Sequence, residues 1–206
     1  MRPIPVTLVL LLAGAILSSA QTAPSEAKKP GTIRIGVAVL KNTSPRTIAT
    51  RVQRDRLVQF INQANRKDDA KKGRAPLEAV PLDADSAPQA AQEARDQHCD
   101  FIVYSNLRDL REPGDPVPVR VGPGAGEITT TDPLAVPAHP TGSLNPATYA
   151  MLAFRLQRLG DPQPLVSTSV SATEQMDAEA TVSLLMGQVA SRVAAEVRKT
   201  RPPVAE

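Results

Sequence analysis

The stretch HCDFIVYSNL, residues 98–107, decides the fold. From Phe101 onward it is a nearly continuous apolar run, which is typical of a strand buried on both faces. The residues just before it, 87–97, carry alanines at helical spacing and predict a helix that leads into this strand. His98 and Cys99 then lie at the corner between the two elements. A helix that passes directly into a buried strand indicates an α/β fold.

Upstream of this corner the alternation of strand and helix is repeated. The predicted elements are a strand over residues 32–40, a helix over 45–65, a strand over 77–82 and the helix over 87–97. In the first strand, Ile33, Ile35, Val37 and Val39 alternate onto one face. Before the last helix, Ser86 is the expected N-cap, and Pro88 suits the first turn.

Downstream of the corner the composition changes and then returns to regular structure. Residues 108–146 contain eight prolines and five glycines without periodicity, so we predict a flexible insertion. Strands over residues 147–159 and 165–173 form the expected hairpin that follows. The closing helix places apolar residues at steps of three and four: Val182, Leu185, Met186, Val189, Val193 and Val197.

These elements predict a mixed α/β architecture. Their order is β-α-β-α-β, the insertion, and then β-β-α. We expect one mixed sheet of about five strands with helices packed on it. A single domain would cover residues 32–199, interrupted by the insertion at 108–146 and followed by a tail at 200–206.

The amino-terminal segment indicates export. Arg2 precedes an apolar run over residues 6–17, and Ser18 and Ala20 place small residues at the −3 and −1 positions of a cut. We predict a signal peptide over residues 1–20, cleaved after Ala20, and a disordered lead over 21–31. The protein would be periplasmic or extracellular, with no transmembrane segment after cleavage. Retention of the segment as a membrane anchor is the alternative.

The only cysteine is adjacent to one of the two histidines, as in a thiol nucleophile beside its base. Consecutive residues in a strand point to opposite faces, however, so His98 and Cys99 would diverge. Histidine also tolerates the left-handed backbone that a helix end often requires. We therefore interpret the pair as a structural corner and predict no catalytic residue. A thiol-dependent or other hydrolase centred on the pair is the alternative.

Other motifs offer little chemistry. GPGAG, residues 122–126, lacks the lysine and hydroxyl of a phosphate-binding loop. The pair Asp68 and Asp69 lies among lysines, while Asp83 and Asp85 stand where a helix begins, so both read as solvated charge. We expect no cofactor and no metal. A small-ligand site at the carboxyl ends of the strands stays open as an alternative, without a residue pattern that names the ligand.

The charges are distributed unevenly. Residues 41–74 carry ten basic and three acidic residues, whereas residues 75–116 carry three basic and nine acidic ones. A basic partner-binding face on the first helix would consist of Arg46, Arg51, Arg54 and Arg56. Export and the scarcity of stacking aromatics argue against nucleic acid. We expect an envelope protein partner or an anionic envelope surface, and an ordinary solvated helix face is the alternative. Docking would use the basic first helix, an exposed strand edge or the mobile insertion.

In this order, the elements resemble compact domains of bacterial envelope accessory proteins, namely the CsgG-like group and the amino-terminal domain of TolB. Those domains open with a strand, a turn and a long helix, as IRIGVAVLKNTS (residues 33–44) and its continuation do. HCDFIVYSNL is similar to their helix-to-strand step, with His98 in place of a glycine. Residues 147–199 are similar to their strand pair and closing helix. The resemblance implies a non-enzymatic envelope module for binding or assembly that acts through protein–protein contacts.

Overall fold

The structure is a computed structural model, and it describes residues 28–64, 74–115 and 147–200. The predicted signal peptide lies outside the described residues. So do residues 21–27 of the predicted lead, 116–146 of the predicted insertion and 201–206 of the predicted tail.

The described residues form a mixed α/β fold with one open sheet of six strands and three helices, which confirms the predicted fold class. The elements in chain order are β1 (Ile33–Val37), β2 (Lys41–Asn42), α1 (Thr50–Gln63), β3 (Leu77–Pro81), α2 (Ala87–Asp96), β4 (Phe101–Arg111), β5 (Thr148–Arg158), β6 (Pro164–Glu174) and α3 (Ala178–Thr200). The sixth strand, relative to the expected five, is the two-residue β2.

The strand order in the sheet is β3-β1-β4-β5-β6, and β2 pairs with β4 beyond the end of β1. β1 runs parallel to β3 and β4, with Ile35 opposite both Ala79 and Phe101. β4, β5 and β6 are antiparallel neighbours. The first half of the chain therefore builds the parallel part of the sheet, and the second half extends it as a meander. β3 and β6 form the two edges.

Two cores of unequal size lie on the two faces of the sheet. On one face, α1 and α3 pack over all five long strands, and this large core includes Leu57 of α1 and Val189 of α3. On the other face, α2 covers a small core around Ala90, Ala94 and Ile102. Since α2 packs over the part of the sheet that contains β1 and β4, the second face is open over β5 and β6.

Helix α1 begins at Thr50, five residues after the predicted start. The side chain of Asn42 explains the delay, because it accepts the Ser44 backbone N–H at 3.0 Å and donates to the Arg46 carbonyl at 2.6 Å. These bonds hold residues 42–46 in a turn that competes with the helix. In α2, by contrast, Ser86 is the N-cap as predicted, and its hydroxyl accepts the Gln89 N–H.

Two strand boundaries differ from prediction by more than one residue. The strand predicted over residues 32–40 ends at Val37, so Val39 lies beyond β1 and does not share its face. β4 continues to Arg111, four residues into the predicted insertion, because β5 supplies antiparallel partners as far as Tyr149. A bulge at Arg108 shifts the register between β4 and β5.

Candidate interaction surface

The corner at His98 and Cys99 is a helix C-terminus stabilised by backbone hydrogen bonds. The His98 N–H donates to the Arg95 carbonyl at 2.9 Å, and the Cys99 N–H donates to the Ala94 carbonyl at 2.8 Å. His98 has a φ of 55°, in the left-handed region. This pattern is the Schellman motif, in which glycine is the usual residue. The expectation that histidine adopts this conformation is confirmed.

The two side chains of the corner do not act together. The His98 side chain is exposed, whereas Cys99 is only 6% exposed and belongs to the small core under α2. Burial raises the pKa of the Cys99 thiol to about 12; the nearby Arg34 guanidinium opposes this rise and Asp100 adds to it. A reactive cysteine needs a lowered pKa and access to solvent. The geometry argues against a thiolate nucleophile here.

Beside this corner lies a buried arginine that the sequence patterns did not single out. Arg34 of β1 is 2% exposed, and its Nη1 donates to the Gln97 carbonyl at 3.0 Å. Its Nε and Nη2 donate to the two carboxylate oxygens of Glu78 on β3, at 3.2 and 3.0 Å. Asp100 accepts the Arg34 backbone N–H at 2.8 Å and pairs with Lys28 at 2.6 Å. The network ties β3, β1 and the end of α2 together.

One arginine of the predicted basic face is buried. Arg54 is 7% exposed and donates through Nη1 to the Leu82 carbonyl at 2.8 Å and to Asp83 at 2.6 Å. Its Nε donates to Asp55 at 2.8 Å. Arg54 is therefore a structural link between α1 and the residues that follow β3.

The other three arginines are spread over different environments. Arg46 lies in the turn before α1 and pairs with Asp115. Arg51, on the exposed side of α1, is 3.8 Å from Asp85, and Arg56 is half-buried. The structure thus does not bring the four arginines onto one exposed face.

Candidate metal ligands do not converge within the described ranges. No group of three or more histidine, cysteine, aspartate or glutamate side chains is placed to hold a metal ion there. Asp83 pairs with Arg54, and Asp85 with Arg51. Asp68, Asp69 and the GPGAG segment lie outside the described residues.

The open face of the sheet forms a groove of about 420 Å³ beside the start of α2. Its floor contains a row of side chains from three strands, because Tyr104 of β4 pairs with Arg155 of β5, which pairs with Ser167 of β6. The Arg155 guanidinium carbon lies 4.6 Å from the centroid of the Tyr104 ring. Lys41 and Arg108 add further basic groups to the lining.

The sheet edge at β3 is closed. The Ala79 N–H donates to the Asn62 side-chain oxygen at 2.7 Å, and the Ala79 carbonyl accepts from the Asn62 side-chain nitrogen at 3.2 Å. A side-chain amide from α1 thus occupies the backbone positions that another strand would use. β3 has only five residues, and Pro81 at its end has no N–H to donate. These are recognised ways of protecting an edge.

The sheet edge at β6 carries such protections only at its two ends, where Pro164 and Glu174 stand. β6 is 11 residues long, and residues 165–173, LVSTSVSAT, contain no charge and no proline. Within the part of the chain that the structure describes, no strand pairs with its outer side. Leu165, Ser167, Thr168, Ser169 and Ser171 are exposed along it. The edge is a surface on which another extended chain can pair.

Across residues 28–64, 74–115 and 147–200, no helix has both the length and the apolar character needed to cross a membrane. This holds for α3, the longest of the three helices.

Comparison with known proteins gives structural neighbours only. No family model and no curated protein matches the chain. Among solved structures, the PelC dodecamer from Paraburkholderia phytofirmans is similar at 11% identity and a TM-score of 0.49, over 80% of this chain and 89% of that one. Lipoprotein GNA1162 from Neisseria meningitidis is similar at 13% identity and a TM-score of 0.37, over 79% and 99% of the two chains.

TolB from Acinetobacter baumannii is similar at 9% identity and a TM-score of 0.36. The match covers 82% of this chain and 28% of the TolB chain. A bacterial lipoprotein and a TolB chain are therefore among the structural neighbours. The predicted resemblance to the CsgG-like group stays a prediction.

Proposed function

We propose that this protein is an exported, non-enzymatic module of the bacterial cell envelope that binds another polypeptide by adding a strand to β6. The observation that carries the proposal is the contrast between a closed β3 edge and an open, uncharged β6 edge. Strand addition obtains affinity from main-chain hydrogen bonds and specificity from alternate side chains. β6 offers both, with Ser167 and Ser169 on the side of the groove.

Export is supported by the sequence of the first 20 residues, which has the charge, apolar run and small residues of a signal peptide. One domain over residues 32–199 fits the single continuous sheet. Residues 112–147 connect β4 and β5, which are antiparallel neighbours that a turn of two to five residues could join. So long a connection gives the module a second segment through which partners are contacted.

A non-enzymatic role is supported by the state of the candidate nucleophile. Cys99 is buried, its pKa is raised to about 12, and its neighbour His98 points to solvent. The thiol-dependent form of the hydrolase alternative therefore lacks the thiolate it would need.

The test is recovery of partners from a solubilised envelope extract by the tagged full-length chain. We expect the double variant Ser167→Lys/Ser169→Lys to lose specifically recovered partners, since lysines on an edge strand oppose strand addition. The matched control is Arg51→Glu/Arg56→Glu on α1, which should retain them. Arg54 is excluded from the control because its burial would confound binding with stability. Loss in the α1 variant with retention in the β6 variant would place docking on the basic helix instead.

A second candidate, small-ligand binding, is favoured by the groove beyond the carboxyl end of β1, a position where α/β sheets commonly bind ligands. Arg155, Lys41 and Arg108 would attract an anionic group. A thermal-shift screen of small carboxylates and phosphates against wild type and Arg155→Ala tests it. A compound that raises the melting temperature of wild type but not of the variant would support this candidate.

A further inference from the structure

We propose that the occupant of the β6 edge is β6 of a second copy of this chain, paired antiparallel about a two-fold axis through Thr168. This inference rests on the proposed function and identifies the polypeptide that binds at the β6 edge. The starting observation is the sequence of the edge itself. VSTSV, residues 166–170, reads identically in both directions about Thr168.

In an antiparallel pair centred on Thr168, every residue meets the one equally far from the centre on the other copy. Val166 then faces Val170 of the second copy, Ser167 faces Ser169, and Thr168 faces Thr168. Pairs of β-branched residues and pairs of hydroxyl residues are favourable cross-strand neighbours. A palindromic edge is therefore complementary to itself, which is what a two-fold interface requires.

The charges of the edge agree with this register. Residues 165–173 are uncharged, so no like charges meet within the pair. The first charge beyond them, Glu174, would lie opposite Pro162 of the second copy. It stays far from the other Glu174. Charge therefore does not oppose self-pairing.

The closed edge at β3 removes the competing arrangement. A head-to-tail contact would place β6 of one copy against β3 of the next. Asn62 already bonds the N–H and carbonyl of Ala79, and Pro81 has no N–H. The edge at which a second copy can pair is therefore β6.

Self-pairing also continues both faces of the sheet. Val166 and Val170 lie on the α3 side, where Val170 is buried and Val166 packs against the large core. Their pairs would extend that apolar face across the axis, and the two grooves would share the opposite face. A strand pair alone belongs to the small, transient class of interfaces. We therefore expect a dimer in concentration-dependent equilibrium with the monomer.

The experiment is disulfide trapping in the full-length protein under mild oxidation. In Thr168→Cys the two thiols would lie across the axis, at a cross-strand separation close to what a disulfide needs. In the control Thr173→Cys, on the same strand, they would lie roughly 30 Å apart at the rise of a strand. We expect at least about 10-fold more linked dimer from Thr168→Cys than from Thr173→Cys. Wild type, whose Cys99 is buried, should give none.

A charge exchange tests the register independently. Ser167→Lys/Ser169→Lys would place lysines opposite lysines and reduce the dimer in sedimentation. Ser167→Lys/Ser169→Asp would place each lysine opposite an aspartate of the second copy and restore it. Equal dimerisation of these two variants, or equal linking at positions 168 and 173, would overturn the proposal. So would a monomer at every concentration together with no linking at position 168.

These outcomes separate the two proposals. If the chain is monomeric but the lysine variant loses a partner from envelope extract, β6 binds a different protein and only self-pairing falls. If the lysine variant changes neither self-association nor partner recovery, strand addition at β6 falls as well.

Discussion

At one edge of the sheet, β3 is short, ends in a proline and has its Ala79 backbone bonded by Asn62. At the other edge, β6 runs for 11 residues with an uncharged, proline-free centre. Unpaired strand edges invite aggregation, and proteins normally protect them. This chain protects the edge at β3 but leaves the centre of β6 unprotected. We therefore interpret the β6 edge as a binding surface.

The largest expected effect comes from removing the interior support of the β3 edge. Arg34→Ala would leave Glu78 and the Gln97 carbonyl without their buried partner. Breaking a buried ion pair on one side costs about 3 kcal/mol of unfolding free energy. Denaturant unfolding measures it. Arg46→Ala, which removes an exposed pair, is the control and should cost much less, because solvent screens that pair. Equal losses would show that Arg34 does not secure β3.

The second effect is an alkaline loss of stability caused by Cys99 in the small core under α2. The pKa of Cys99 is about 12 in the folded chain and about 9 in the unfolded one. The folded state therefore holds its proton more tightly. This stabilisation is complete below pH 9 and is lost as the pH rises from 9 toward 12.

Between pH 8 and 10.5, wild type should lose about 2 kcal/mol more unfolding free energy than Cys99→Ala. Denaturant titrations at both pH values measure the difference. An identical pH dependence in the two proteins would mean that the thiol is accessible. A thiol introduced at position 168 on β6 should react with a maleimide in the folded state, whereas Cys99 should react only on unfolding.

Opening the closed edge is the third way to test the comparison. Asn62→Ala removes two hydrogen bonds to Ala79 and should cost about 1–2 kcal/mol. It should also add a new mode of association, which light scattering detects as species larger than the wild-type ones. Gln63→Ala, at the next and equally exposed position of α1, controls for helix effects. Unchanged association would indicate that β3 is closed by something other than Asn62.

The smallest effect on stability is expected from charging the open edge. Thr168 is exposed, so Thr168→Lys should change the unfolding free energy by less than about 0.5 kcal/mol. The same variant should abolish self-association, because the two lysines would meet at the axis. A large loss of stability would mean that this side chain supports the fold of the single chain.

Much of the fold could be predicted because each long element has a local signal. The apolar run of β4, the N-cap Ser86 and the stripe of α3 are readable from neighbouring residues alone. β2 was not predicted, because two residues are too few to show a period. The late start of α1 depends on hydrogen bonds of one asparagine side chain, which competes with the helix locally.

The burial of two arginines could not be predicted from sequence patterns. Arg34 alternates with isoleucines, so its position predicts a solvent-facing side chain, yet α2 covers that face of β1. Arg54 reads as part of a basic helix face, yet its partners follow β3. In both cases the partners are distant in sequence, and burial becomes favourable only when they converge.

Docking at an exposed strand edge was expected, but the sequence could not identify the strand. The hairpin of β5 and β6 was predicted, but chain order does not say which strand lies at an edge. The sequence signal was the uncharged run of residues 165–173. This run indicates a binding edge only when β6 is known to lie at the edge of the sheet.

The Asn62 amide has a consequence for how large an assembly can grow. In the terms of polymer chemistry, a sheet with two open edges is a bifunctional monomer, and its chains lengthen as concentration rises. One occupied edge makes the folded protein monofunctional, so growth by strand pairing terminates at the first step. A single side chain on α1 thereby limits the number of copies that can associate through β6, at the opposite edge of the sheet.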